Sequence, residues 1–158
     1  MRVVTTYTVA LFCHVLGVLL FASGIVLAGA PFEIARRRSS PAEITAILGI
    51  ARAGAMLASL GMILVLGFGL WLVHLSGFGF STGWVQAALA LFVVALALGG
   101  YGGQRPKRAR LHAADLAATG RPLDAKLRQL LDDRVSRAAN YTSALIVLGI
   151  LALMIFKP

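Results

Sequence analysis

Three long stretches of this chain carry no charge, and the charge is gathered between them. Val3 to Phe32 is uncharged, as are Ala53 to Gln104 and Ala138 to Phe156. A bilayer core about 30 Å thick needs roughly 20 apolar residues per helix. The first and third stretches are one span each. The middle stretch is 52 residues long and folds back at Ser76-Gly77-Phe78-Gly79-Phe80-Ser81-Thr82-Gly83. The pattern predicts an all-α protein, a four-helix transmembrane bundle in a single integral membrane domain over 1–158. The helices are expected over about 4–30, 41–75, 84–103 and 140–156, in an environment of lipid bilayer.

The net charge of +9 describes topology and not nucleic acid. Glu33 to Arg52 holds four arginines and two glutamates, and Arg105 to Arg137 holds nine Lys/Arg and four aspartates. Cytoplasmic loops carry the Lys/Arg excess, so both segments are expected inside and both termini outside. The Ala/Gly/Arg-rich composition fits a bacterial inner membrane. Met1-Arg2, the apolar run and Ala28-Gly29-Ala30 imitate a cleavable leader. The run exceeds the roughly 7–15 residues of a leader core, so a retained span is expected. The single cysteine, Cys13, permits no intrachain disulfide.

Boundary signals place the ends. Pro31 marks the end of the first helix. Ser40-Pro41-Ala42-Glu43 reads as a capped start, with Ser40 and Glu43 as a capping box. Trp71 and His74 mark the outer end of the second helix, and Phe78, Phe80 and Trp84 fit an outer aromatic belt. Gly102-Gly103 ends the third helix, and Pro106 opposes continuation. Leu123, Leu127, Leu130, Leu131 and Val135 recur at helical spacing and predict an amphipathic cytoplasmic connector. Thr119-Gly120-Arg121-Pro122 separates it from a short basic helix.

His14 is the sharpest candidate for chemistry. An ionisable group inside a span is costly and faces the bundle interior or a cavity. Ala10, His14, Gly17, Phe21, Gly24 and Ala28 share one stripe. Small residues there let helices approach closely or leave room for a flat ligand. A neutral imidazole could ligate haem iron or copper; equally, it could be bonded to a neighbouring helix. Haem b is the first cofactor candidate, with His14, Gly17, Gly24 and Arg52 around it, and copper the second. Arg52 either snorkels to the headgroups or meets an anion such as a propionate or a lipid phosphate. Cys13 and Met56 are soft ligands, but Cys13 and His14 point about 100° apart and do not chelate together. His74 stands roughly 33 Å above the inner boundary and His14 roughly 22 Å, which disfavours both on one iron. His112 is expected in solvent. No phosphate loop, metalloprotease motif or paired intramembrane carboxylate is present, so the balance leans away from an enzyme.

The segment His14-Val15-Leu16-Gly17-Val18-Leu19-Leu20-Phe21-Ala22-Ser23-Gly24 resembles the first helix of the copper-resistance D-like membrane proteins. That group includes the four-helix membrane protoporphyrinogen oxidases, in which a histidine precedes an aromatic by seven positions and a glycine by ten. Gly83-Trp84-Val85-Gln86-Ala87-Ala88-Leu89-Ala90-Leu91 is similar to the same group's third helix, and Phe156-Lys157-Pro158 to the end of its fourth. The overall layout looks like a related family of predicted integral membrane proteins of unknown function. The resemblance implies haem at His14. It departs at Ala88, where the oxidases carry a functional lysine, and at Gln86, where a histidine is frequent. The second function class is a non-catalytic accessory or scaffolding subunit of a larger membrane complex, or a homo-oligomer. Gly54, Ala58 and Gly61 on helix 2 and Ala87, Ala90 and Ala97 on helix 3 would supply its contact faces.

Overall fold

The computed structural model describes residues 5–77, 79 and 81–156. The expected helix start at Val4, the belt residues Phe78 and Phe80 and the Lys157-Pro158 ending lie outside them. The helices are α1 (Thr6–Ala35), α2 (Pro41–Leu75), α3 (Gly83–Ala118), α4 (Ala125–Leu131) and α5 (Arg134–Phe156). No strand forms among the described residues. Four helices are long and apolar enough to cross a membrane, with the fourth in Ala125–Phe156. In the most apolar stretch of each, only 11% to 22% of residues are buried. Phe12, Leu19, Val26, Ile63, Val93, Leu145 and Leu148 point outward. Lipid is the solvent that suits such a surface.

Helices α1 and α2 form one antiparallel hairpin, α3 and α5 pair as a second, and α2 packs on α3. Helices α1 and α5 are not a closely packed pair; near the charged end the Tyr141 hydroxyl of α5 donates to Glu33 of α1 at 3.3 Å. Both chain ends and the α2–α3 turn lie at one end, called here the terminal end. The other end carries the charge.

The expected helix boundaries at the charged end are corrected by packing. Helix α1 runs through Pro31, and α3 runs through Gly102-Gly103 and Pro106 to Ala118. At 36 residues α3 is about 54 Å long, well beyond a bilayer core. Its excess length is not wasted. Phe32 and Ala35, Ile44, Leu48 and Ala51, Ala109, Ala113 and Leu116, and Leu127, Leu130 and Leu131 form one buried cluster from α1 to α4. That burial outweighs the loss at each proline. Pro106 has no N–H for the Gly102 carbonyl four residues back. The fully buried Ser136 hydroxyl donates to that carbonyl instead, at 2.6 Å.

The connector is likewise shorter than its periodicity predicts. Leu127, Leu130 and Leu131 turn inward on a seven-residue α4, while Val135 is exposed on the next helix. Asp132 and Asp133 break the run, and α5 already starts at Arg134 instead of 140. Asp124 caps α4, accepting from the Leu127 amide at 2.7 Å. Gly120, with φ +64°, makes the turn after α3. At α2, Pro41 takes the first helical position as expected. The capping box does not form: the Ser40 side chain makes no cap bond, and Glu43 lies 4.0 Å from Arg38.

Candidate functional site

The two hairpins are sealed by different chemistry. Between α1 and α2, glycines meet backbone. A Cβ on Gly17 would lie 2.8 Å from the Val65 nitrogen, and one on Gly54 2.5 Å from the Ala28 nitrogen. Gly24 faces the Ala58 backbone and Gly61 the Phe21 backbone just as closely. The Ala10–Ala28 stripe thus serves helix approach. Gly17 and Gly24, expected beside a cofactor, lie against α2 and are not on the wall of the His14 cavity. Between α3 and α5, hydroxyls reach carbonyls: Ser136 to Gly102, and Ser143 to Ala95 at 2.8 Å.

His14 sits where the first seam meets an opening. Its Nδ1 is 3.0 Å from the Val65 carbonyl oxygen. A carbonyl only accepts, so Nδ1 carries the proton and donates. In the neutral ring Nε2 then holds the lone pair, and it has no hydrogen-bond partner among the described residues. Gly69 makes the approach feasible, because a Cβ there would fall 3.0 Å from Cε1 and 3.1 Å from Nδ1. Sequence reasoning missed Gly69; its signal was a glycine one turn beyond Val65 on α2.

The half-buried imidazole borders a cavity of about 210 Å³ at the terminal end. Tyr7 and Leu11 from α1, Trp84, Val85, Ala88 and Phe92 from α3, and Ile150 and Met154 from α5 share its wall with α2. Phe92 on this wall has its ring centroid 6.4 Å from that of Phe21. Trp84, expected in an outer belt, is thus half-buried on the cavity wall.

The other candidates are elsewhere. His74 is exposed and about 14 Å further along α2 than Val65. Arg52 is exposed, without a hydrogen bond or ion pair among the described residues, about 20 Å along α2 from Val65. Met56 is 64% exposed, so it does not join the half-buried Cys13. No group of three His, Cys, Asp or Glu able to hold a metal occurs among the described residues. His112 is not simply solvated: its Nε2 lies 2.8 Å from Asp124 Oδ2. The small-residue faces expected to meet a partner divide: Gly54 and Gly61 are buried in the α1–α2 seam, while those on α3 remain open. Ala87, Ala90 and Ala97 are exposed, and Val85, Ala88, Phe92 and Ala95 face inward.

A family match covers residues 8–158. The chain belongs to the predicted integral membrane protein family DUF2269. Membership accounts for the lipid-facing surface over the whole bundle. No curated protein matches the chain, and no solved structure does.

At the charged end, ion pairs tie the helices together. Arg36 bridges Glu33 at 2.8 Å and Asp132 at 3.1 Å, and Arg128 donates to the Arg36 carbonyl. Arg105 meets Asp133 at 2.9 Å. The Asp124 carboxyl is held below its ordinary value, first by the Leu127 amide and then by His112.

Proposed function

We propose that this membrane protein binds a lipid-soluble ligand in the His14 cavity, through imidazole Nε2, and carries out no chemistry on it unaided. The observation that carries this reading is the Nδ1–Val65 bond. It fixes the tautomer and leaves a lone pair beside an apolar cavity. Proteins orient metal-ligating histidines by the same device. Besides His14 the cavity wall carries two hydroxyls, Tyr7 and Ser76, and no carboxyl or amine among the described residues.

Haem b is the ligand that the resemblance of the first helix to the copper-resistance D-like proteins and the protoporphyrinogen oxidases would imply. His14 suits its axial bond. The remainder of the site does not fit an enclosed haem. A cavity of about 210 Å³ falls below the roughly 300–1,000 Å³ of usual ligand pockets. Arg52 is too far along α2 to meet a propionate. Ala88, at the position of the oxidases' functional lysine, lies on the cavity wall. Its methyl leaves that wall without the charge the oxidases would have there. Copper has less support, because Met56 faces outward.

The proposal includes topology. The basic segments gathered at the charged end would lie on the cytoplasmic side of a bacterial inner membrane, with both termini outside. A cytoplasmic reporter signal from the C-terminus would reverse it.

Gentle extraction and reconstitution with haem b test the cofactor. A Soret band lost in His14→Ala and kept in His74→Ala supports haem; no His14-dependent band removes it. The second reading is an accessory subunit. The exposed Ala87, Ala90 and Ala97 favour it, since small residues on a lipid-facing helix permit close contact with another helix. Loss of co-purifying partners on Ala90→Leu, with the fold intact, would support it.

A further inference from the structure

Resting on the ligand-binding reading, we infer that the His14 cavity takes a single-ring phenol or quinol with an apolar tail, its hydroxyl donating to Nε2.

Three features select this class. The first is size. A cavity of about 150 Å³ holds one benzene ring. The space here, about 210 Å³ in a half-open cleft, admits one substituted six-membered ring. The second is polarity. Nδ1–H is committed to Val65, so the neutral ring offers an acceptor alone. To engage Nε2 the ligand must therefore bring a donor. A phenol or quinol O–H does so; a quinone or an ether does not. The third is access. Helices α1 and α5 are not a closely packed pair, yet Leu11 of α1 and Ile150 and Met154 of α5 both edge the cavity. The cavity is half open, so an apolar tail can leave it into lipid. Phe92 and Trp84 on the wall supply aromatic surroundings for the ring.

The site explains two residues that tight helix packing leaves aside. Gly69 is needed because any side chain there would crowd the imidazole. Ala88 is needed because a longer side chain would fill the cavity it lines.

The test uses the full chain in lipid nanodiscs with imidazole-labelled histidine. The probes are para-heptylphenol and its methyl ether, para-heptylanisole. Both share ring and tail, and only the phenol donates. One net hydrogen bond predicts roughly two- to tenfold tighter binding of the phenol. The phenol should also shift the His14 Nε2 resonance, and the ether should not. In His14→Leu the preference should vanish. Gly69→Ala keeps the imidazole and displaces it, so the preference should fall there too, which covers the case of a misfolded His14→Leu. Equal binding of phenol and ether by the wild type, or an unchanged preference in a folded His14→Leu, overturns the inference. His14-dependent haem binding without phenol preference would overturn it while sparing the broader reading. Binding of neither haem nor phenol in a His14-dependent way would overturn both.

Discussion

The α1–α2 seam and the α3–α5 seam hold equivalent hairpins by opposite means. The first is built from absent side chains. Gly17, Gly24, Gly54 and Gly61 let two backbones meet, and dispersion across that contact is the attraction. The second is built from present ones. Ser136 and Ser143 donate across to α3 carbonyls. The lesson is that the first seam is vulnerable to addition and the second to removal. In lipid neither can draw on a hydrophobic drive between helices.

The largest expected effect comes from adding bulk to the first seam. Gly24→Leu should cost about 3 kcal/mol, the upper part of the overpacking range, because its neighbour is Ala58 backbone that cannot swing away. Gly29→Leu, on the same helix with nothing within 4 Å, should be near neutral. Thermal unfolding in detergent compares them; equal losses would dissolve the contrast between the seams. Removal should act on the second seam. Ser136→Ala should cost about 1–2 kcal/mol, since it orphans a buried carbonyl that Pro106 cannot satisfy. Ser143→Ala should cost only about 0.6 kcal/mol. The Ala95 carbonyl keeps its helical partner, Gly99, which has an N–H. If the two serines proved equal, the proline explanation would fail.

The smallest effect lies outside both seams, at the α4 cap. Asp124 is depressed below its ordinary value by the Leu127 amide and then by His112. Its contribution is therefore full above the unfolded carboxyl value of about 3.9. It is lost as pH falls through the lower folded value. Hydrogen exchange at the Leu127 amide should accelerate only in that acid window, and Asp124→Asn should weaken this dependence. Exchange that already rises between pH 7 and 5 would point to another group.

The two seams were not equally legible. Gly17, Gly24, Gly54, Ala58 and Gly61 stand out because small residues at 3–4 spacing mark a close contact. Ser136 and Ser143 were passed over, because their importance depends on which carbonyl lies opposite. On α3, Ala87, Ala90 and Ala97 are exposed, as faces for another helix would be, but nothing in the sequence marked Val85, Ala88, Phe92 and Ala95 as the inward face. A membrane helix buries too little of its apolar surface for apolarity to mark its inner face. Pro31, Gly102-Gly103 and Pro106 were read as stops because the local cost at each is real. Phe32, Ala109, Ala113 and Leu116 repay it through a cluster that no local window contains.

By itself the sequence determined four apolar helices, their alternation, the segregation of charge and the small-residue face that carries His14. These follow from the cost of putting charge or bare backbone into lipid, which is paid residue by residue. Tertiary structure alone decided how far α1 and α3 continue, which face of α3 turns inward, and which nitrogen of His14 remains free. Each of those depends on a partner distant in sequence: α4 leucines for the helix ends, Ile150 and Met154 for the cavity, and the Val65 carbonyl beside Gly69 for the imidazole.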